Sequence, residues 1–149
     1  MTLTLTFLGT GAAIPSLDRN VASLALAREG ETLLFDCGEG TQRQMIRYGT
    51  GFDVDAIFFT HFHADHYLGA SGFLRTLSML EREGPLDVYG PRPARRLLDV
   101  MLCTGTEKLS FEVRIHEVRP GDPVRRDGCD LVPFETDHRT PSVGWARLE

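Results

Sequence analysis

The sequence predicts a single domain of mixed α and β structure, in which a mixed sheet carries helices on one face. Segments with strand-like alternation are interleaved with segments of helical periodicity. The run Ile57-Phe58-Phe59 contains no polar residue, as in a strand buried on both faces. The chain has 149 residues, 42% hydrophobic and 25% charged, which fits one domain over residues 1–149.

The first half of the chain is predicted to form a strand, a β-hairpin and a short helix. Apolar residues that alternate with threonines predict the first strand, with the apolar row buried on one side. The hairpin strands flank a polar turn, and the helix is capped by Thr41 and stops at Gly49. The predicted elements are a strand over 3–7, hairpin strands over 21–27 and 32–35, and a helix over 41–47.

The second half alternates helices with strands. A buried strand leads into a histidine-rich loop, and a helical stripe then runs up to Gly84-Pro85. Pro93 opens another helix, and turn residues separate the strands that follow. The predicted elements are strands over 53–59, 86–89, 111–116, 131–136 and 142–148, and helices over 66–83 and 93–103.

Composition indicates which kinds of partner the chain can bind and in which cellular compartment it is found. The net charge is −5, so any polyanion must be bound by a local basic patch. The amino-terminal segment has no basic region and no long apolar run, so we expect no signal peptide and no membrane span. Cys37, Cys103 and Cys129 are far apart, which indicates reduced thiols in the cytoplasm.

The residues best suited to chemistry follow the buried strand, in the segment Thr60-His61-Phe62-His63-Ala64-Asp65-His66. His61 and His63 are two residues apart, so their side chains leave a strand end on the same side and can hold one metal ion. Asp65 and His66 follow where the chain turns into a helix, and they can face a second ion. Imidazole and carboxylate ligands suit zinc, and also manganese or iron.

Asp36 ends the second hairpin strand, near the rim of the sheet where His61 is expected. An aspartate at this place can orient a metal-binding histidine through the second ring nitrogen. A turn or helix-capping role for Asp36 is an equally open alternative.

The spacing H-x-H-x-D-H over 61–66 resembles the signature of the metallo-β-lactamase superfamily of hydrolases. Other segments occur around it in a defined order, and the most discriminating is Asp36-Cys37-Gly38-Glu39-Gly40-Thr41-Gln42. The remaining segments are Phe7-Leu8-Gly9-Thr10-Gly11, Arg19-Asn20, Tyr89-Gly90-Pro91, and His138 with Gly144-Trp145. Together they resemble ribonuclease Z, the endonuclease family that removes the 3′ trailer from precursor tRNA.

The resemblance implies a four-layer αβ/βα sandwich, of which this chain supplies about one half. It implies that His61, His63 and His138 hold one zinc ion, that Asp65 and His66 begin a second site, and that Asp65 is also catalytic. The intact family uses two zinc ions. One firm zinc site is expected here, because the family's later Ser-Gly-Asp-Thr segment and final histidine are absent. A truncated gene or a fragment is therefore expected.

The resemblance also implies precursor tRNA as substrate and the cytoplasm as compartment. Half a sandwich would leave one sheet face bare, so we expect a homodimer packed sheet against sheet, or aggregation. Two other functions stay open. One is a phosphodiesterase or arylsulfatase of the same fold that acts on small esters, and the other is a non-catalytic metal-binding module. His116 falls on the polar face of its strand and is interpreted as structural.

Overall fold

The computed structural model describes residues 2–149, which form two sheets and a layer of helices. The strands are β1 (Leu3–Gly9), β2 (Ser23–Arg28), β3 (Glu31–Cys37), β4 (Ala56–Phe58), β5 (Leu86–Pro91), β6 (Val113–Val118), β7 (Val124–Arg126), β8 (Cys129–Glu135) and β9 (Val143–Leu148). The helices are α1 (Thr41–Tyr48), α2 (Ala64–Tyr67), α3 (Gly69–Met79) and α4 (Ala94–Leu102). None of these helices is long and apolar enough to cross a membrane.

The larger sheet contains β1 to β6 in chain order. β1, β2 and β3 are antiparallel, whereas β3 to β6 run parallel to one another. One face of this sheet packs against the helices around a core that includes Leu34, Ile57, Phe73, Leu74 and Leu98. The prediction of a mixed sheet with helices on one face is therefore confirmed.

The opposite face of the larger sheet is partly covered by the smaller sheet, β7-β8-β9. Val124 and Leu131 of the smaller sheet pack with Leu33, Ala56 and Phe58 of the larger one. The expectation of a bare face was therefore wrong. Cys129, Leu131 and Pro133 alternate along β8 as its buried residues, and burying that row against the larger sheet removes it from water.

The smaller sheet does not reach β1. Leu3, Leu5 and Phe7 remain 52%, 48% and 58% exposed, so the prediction that this apolar row is buried was wrong. Leu5 also borders a groove that separates β1 and β2 from β9, with Trp145 and Leu131 on its far side. The apolar row of β1 is thus left uncovered along one edge of the larger sheet.

Several boundaries differ from the predicted ones. The predicted helix over 66–83 begins earlier and is divided at Leu68 into α2 and α3. Thr41 does not cap α1: the cap is Gly40, and the Thr41 hydroxyl donates to the Gly38 carbonyl. The short strand β7 was not predicted, because its two arginines leave Val124 as its one apolar residue.

Four rings lie in register across the parallel strands, on the face that meets the smaller sheet. Phe35, Phe58, Tyr89 and His116 stack in sequence with centroid separations of 5.2, 4.9 and 4.6 Å. His116 Nε2 lies 2.7 Å from Oδ1 of Asp87. Phe58 is the last residue of β4, so the stacked row lies next to the start of the histidine-rich loop.

Candidate metal centre

The histidine-rich loop leaves the carboxyl end of the parallel strand β4, and open α/β sheets bind ligands outside the carboxyl ends of their strands. Phe58 and Phe59 are fully buried, and the backbone N–H of Phe59 donates to the Tyr89 carbonyl at 2.7 Å. His61 therefore emerges from a segment that is fixed on both sides. His63 has extended backbone and immediately precedes α2, which carries Asp65 and His66.

Three imidazoles converge at this point. His61 and His63 come from the loop, and His138 comes from the segment that joins β8 to β9. Nε2 of His61 lies 3.2 Å from Nδ1 of His63, which in turn lies 3.3 Å from Nε2 of His138. One nitrogen from each histidine lies within 4.8 Å of the other two, so the three residues could hold a metal ion.

The two shortest separations match what a bound metal ion requires. Ligand nitrogens about 2.05 Å from a tetrahedral zinc ion are about 3.3 Å apart. The donor set is also chemically suitable, because neutral imidazole is a common zinc ligand. Two of the three nitrogen separations therefore fit a single tetrahedral ion, and the third lies within 4.8 Å.

Burial keeps His61 in its neutral, ligand-competent form. The residue is 8% exposed, and burial together with the nearby imidazole of His66 lowers the pKa of His61 to about 4. The hydroxyl of Thr60 determines which ring nitrogen carries the proton. Its one hydrogen is donated to Oδ2 of Asp36 at 2.8 Å, so its oxygen accepts from Nδ1–H of His61 at 3.0 Å. Nε2 of His61 is left free and faces the cluster.

Asp36 organises the second half of the site. Its carboxylate accepts from the Thr60 backbone N–H at 2.8 Å and from Nδ1–H of His66 at 2.7 Å. The His66 tautomer is thereby fixed, and Nε2 faces Asp65 Oδ2 at 3.6 Å. Of the two roles left open by the sequence, the structure favours the orientation of a histidine, and that histidine is His66. Asp36 has a φ of 55°, a conformation that few non-glycine residues adopt.

The charges of the pair Asp65 and His66 are set by their neighbours. Burial alone would lower the pKa of His66, but the hydrogen bond and charge of Asp36 raise it above its usual value. Burial opposes ionisation of Asp65, yet the Ala13 backbone N–H, at 2.7 Å from Oδ2, and His66 together lower the pKa of Asp65. Asp65 is accordingly a carboxylate at neutral pH.

Close backbone packing brings α2 and α3 against the end of β3. A Cβ atom on Gly38 would lie 2.3 Å from the Asp65 carbonyl oxygen, and one on Gly69 would lie 1.9 Å from the Gly38 carbonyl oxygen. These glycines allow the helix that carries Asp65 and His66 to approach Asp36.

All five predicted ligands lie in one region. The three imidazoles form one set, and Asp65 and His66 lie beside it, with the rings of His61 and His66 4.0 Å apart. Sequence reasoning missed the contributions of Thr60 and Ala13, which lie outside the ligand pattern. It also missed Trp145, whose indole Nε1–H donates to the Phe59 carbonyl at 3.2 Å.

An open cleft of about 460 Å³ adjoins the cluster. His138 forms part of its wall, together with Arg92, Arg119 and Arg139. Arg92 is paired with Glu117 at 3.2 Å, whereas Arg139 is exposed. The cleft therefore offers positive charge directly beside the three imidazoles.

The sequence is similar to those of known ribonucleases Z. The chain is 56% identical to ribonuclease Z of Myxococcus xanthus over 99% of its own length, and 47% identical to ribonuclease Z of Haloferax volcanii over 100%. These matches cover 48% and 47% of the two relatives, so the chain spans about half the length of the curated relatives it matches.

The fold also superposes on those of solved structures. The short form of human tRNase Z superposes with a TM-score of 0.89 at 32% identity, over 97% of this chain and 64% of that one. A diphosphatase from the PhnP family superposes with a TM-score of 0.79 at 25% identity. Residues 17–142 match the family model of the metallo-beta-lactamase superfamily. With its fold and its converging imidazoles, the chain belongs to the metallo-β-lactamase superfamily.

Proposed function

We propose that the chain is part of a zinc-dependent phosphodiester hydrolase of the ribonuclease Z type, which removes the 3′ trailer from precursor tRNA by endonucleolytic cleavage. Relatives named ribonuclease Z align with the whole chain, and human tRNase Z shares its fold at 32% identity. The single observation that carries the proposal is the convergence of His61, His63 and His138 beside the Asp65–His66 pair.

We assign the metal ligands as follows. His61, His63 and His138 hold one zinc ion, while Asp65 and His66 contribute to a second position. Bound zinc would supply an activated water near neutral pH and neutralise charge on the phosphodiester. The three-histidine set leaves a fourth coordination position open, as catalytic zinc sites do. The described residues offer two ligands at the second position, so we expect one firm zinc ion per chain.

Asp65 is assigned the catalytic role. Its carboxylate is ionised at neutral pH, because the Ala13 N–H and His66 stabilise the charged form. An ionised carboxylate beside the reacting group can accept a proton from the attacking water. Asp36 acts through His66, which it holds at 2.7 Å, and is therefore a positioning residue.

The cleft beside His138 is suited to a polyanion. Arg119 and Arg139 contribute positive charge there, although the net charge of the chain is −5. Contacts between arginines and phosphates provide affinity without sequence readout. We assign this cleft to the phosphate backbone of the precursor tRNA next to the cleavage position.

We further propose that residues 1–149 form one domain, that the protein acts in the cytoplasm and that it forms a homodimer. Two sheets that share a buried apolar layer support the single domain. The three cysteines are free thiols, which supports a reducing compartment. The exposed row Leu3, Leu5 and Phe7 supports self-association, because clustered exposed apolar residues mark interaction surfaces.

Competition between two substrates tests the proposed function. The zinc-loaded chain should hydrolyse bis-p-nitrophenyl phosphate, and precursor tRNA should inhibit that hydrolysis competitively by occupying the same site. Asp65→Asn should abolish hydrolysis while the protein keeps its first zinc ion. Hydrolysis that precursor tRNA does not inhibit would contradict the tRNA assignment.

The alternative functions predict different results. A phosphodiesterase for small esters is favoured by the similarity to a diphosphatase, and it would hydrolyse the activated diester without inhibition by tRNA. An arylsulfatase would cleave p-nitrophenyl sulfate instead. A non-catalytic metal-binding module would retain zinc and hydrolyse neither compound.

A further inference from the structure

The three-histidine set is divided between the two sheets. His61 and His63 follow β4 of the larger sheet, whereas His138 lies in the segment between β8 and β9 of the smaller sheet. His138 is exposed, and its ring contacts those of His61 and His63. Its position therefore depends on how the smaller sheet is attached to the segment that leads from β4 to His61.

That attachment is made by β9, through two hydrogen bonds to consecutive carbonyls. The backbone N–H of Val143 donates to the Thr60 carbonyl at 2.9 Å. The indole Nε1–H of Trp145 donates to the Phe59 carbonyl at 3.2 Å. Both acceptors lie within two residues of His61, so β9 is tied to the backbone that carries the first ligand.

Packing around Trp145 fixes the direction of the indole. Its ring meets Phe58 edge to face, with centroids 4.9 Å apart at 74°. Phe58 is held by stacking on Phe35 and Tyr89, so the indole rests on a rigid row of rings. Gly144 brings the neighbouring strand close, because a Cβ there would lie 2.1 Å from the Phe134 ring.

The segment that carries His138 is closed at its base. Thr136 Oγ1 and Ser142 Oγ lie 2.6 Å apart, and Val143 follows directly. A displacement of β9 relative to Phe59 would therefore move the whole segment 136–142, and His138 with it. A shift of this kind alters the nitrogen separations on which tetrahedral coordination depends.

We infer that Trp145 is a positioning residue for the metal centre: its indole N–H, bound to the Phe59 carbonyl, places His138 against His61 and His63. The inference rests on the metal centre of the proposed function and does not depend on its substrate. A purely structural tryptophan would contribute through buried area alone, and the N–H would not matter for metal affinity. Removal of the indole N–H alone should therefore lower metal affinity if Trp145 is a positioning residue, and should leave metal affinity unchanged if Trp145 is purely structural.

The sequence contains one tryptophan, so the donor can be removed without changing the shape of the side chain. Expression with 3-benzothienylalanine places sulfur where Trp145 has its ring N–H. We expect zinc affinity to fall about tenfold, as is typical when an outer partner of a metal ligand is lost. The visible absorption of the Co²⁺-substituted protein should change as well, because coordination geometry is perturbed. Trp145→Phe should give the same two changes.

Leu131→Val is the matched control. Leu131 is buried in the same apolar layer of the smaller sheet, and its side chain has no donor to offer the metal-bearing strand. This variant should lower the melting temperature while leaving zinc affinity and the Co²⁺ spectrum unchanged. Unaltered metal affinity in the benzothienyl protein would overturn the inference, as would an equal loss of affinity in Leu131→Val. A protein that shows the expected metal changes but whose hydrolysis of bis-p-nitrophenyl phosphate is not inhibited by precursor tRNA would contradict the proposed function and leave this inference intact.

Discussion

Oδ2 of Asp36 lies 2.7 Å from Nδ1 of His66, although 29 residues of chain separate them in the sequence. The same carboxylate holds Thr60, so Asp36 links the end of β3 to the metal loop and to α2. It thereby sets the direction in which Nε2 of His66 points.

Asp36→Asn should lower diester hydrolysis by about 10- to 100-fold, the usual effect of losing the carboxylate partner of a metal-binding histidine. Retention of the first zinc ion should weaken as well, because Asp36 also accepts from the Thr60 hydroxyl that fixes the His61 tautomer. Steady-state kinetics and elemental analysis measure the two effects. Asp55→Asn is the control, because Asp55 accepts a similar hydrogen bond, from Thr32, away from the site. Full hydrolysis in Asp36→Asn would contradict this role.

His63→Ala should abolish zinc retention. Nδ1 of His63 lies within 3.3 Å of both other imidazole nitrogens, so its loss reduces the set to two ligands. After dialysis, the unmodified chain should retain about one zinc ion and the variant none. His116→Ala is the matched control, because His116 pairs with Asp87 outside the centre. A stable content of two zinc ions would show that another group completes the second position.

The metal-free protein should lose stability as the pH falls from about 6.5 to 4, because the folded state disfavours protonation of His61. The unfolded chain binds a proton there first, and each pH unit inside this window costs about 1.4 kcal/mol. His66 has the opposite dependence: its raised pKa stabilises the fold at low pH, and that contribution is lost as the pH rises. Chemical denaturation of metal-free protein and of His61→Gln measures the difference. Identical pH slopes in the two proteins would contradict the prediction.

Gly38→Ala should destabilise the fold by about 1–3 kcal/mol, the range for overpacking a close contact. The new Cβ would lie 2.3 Å from the Asp65 carbonyl oxygen, so either β3 or α2 must shift. Hydrolysis should fall as well, because the shift separates Asp36 from His66. Gly84→Ala is the control, since a Cβ there meets no atom within 4 Å. Equal melting temperatures for the two variants would contradict this account.

Sedimentation at micromolar concentration should show a dimer that forms through the exposed face of β1. Phe7 is 58% exposed in a row with Leu3 and Leu5, so Phe7→Lys should shift the equilibrium to monomer. Ile46→Lys, on the exposed face of α1, is the control and should leave the dimer intact. A monodisperse monomer of the unmodified chain would remove the homodimer from the proposal.

Local sequence determined the features that depend on neighbouring residues. The apolar run before the metal loop predicts the buried strand, and Ile57, Phe58 and Phe59 are indeed fully buried. Gly49 predicts the end of α1 because it accepts the left-handed conformation, with a φ of 67°. The His61 and His63 spacing places both imidazoles on one side, since side-chain direction at a strand end follows from backbone geometry.

Tertiary structure decided everything that required distant segments to meet. His138 reaches His63 across 75 positions only because the smaller sheet packs on Phe58, which no local pattern predicts. The sequence left open whether Asp36 is a turn residue or orients a histidine. The packing of α2 against the end of β3 places His66 within hydrogen-bond distance of Asp36. The alternation in β1 resembles that of a buried strand, yet Leu5 stays exposed because the covering sheet ends before it. Periodicity records which side chains share a face, whereas burial of that face depends on which other element packs against it.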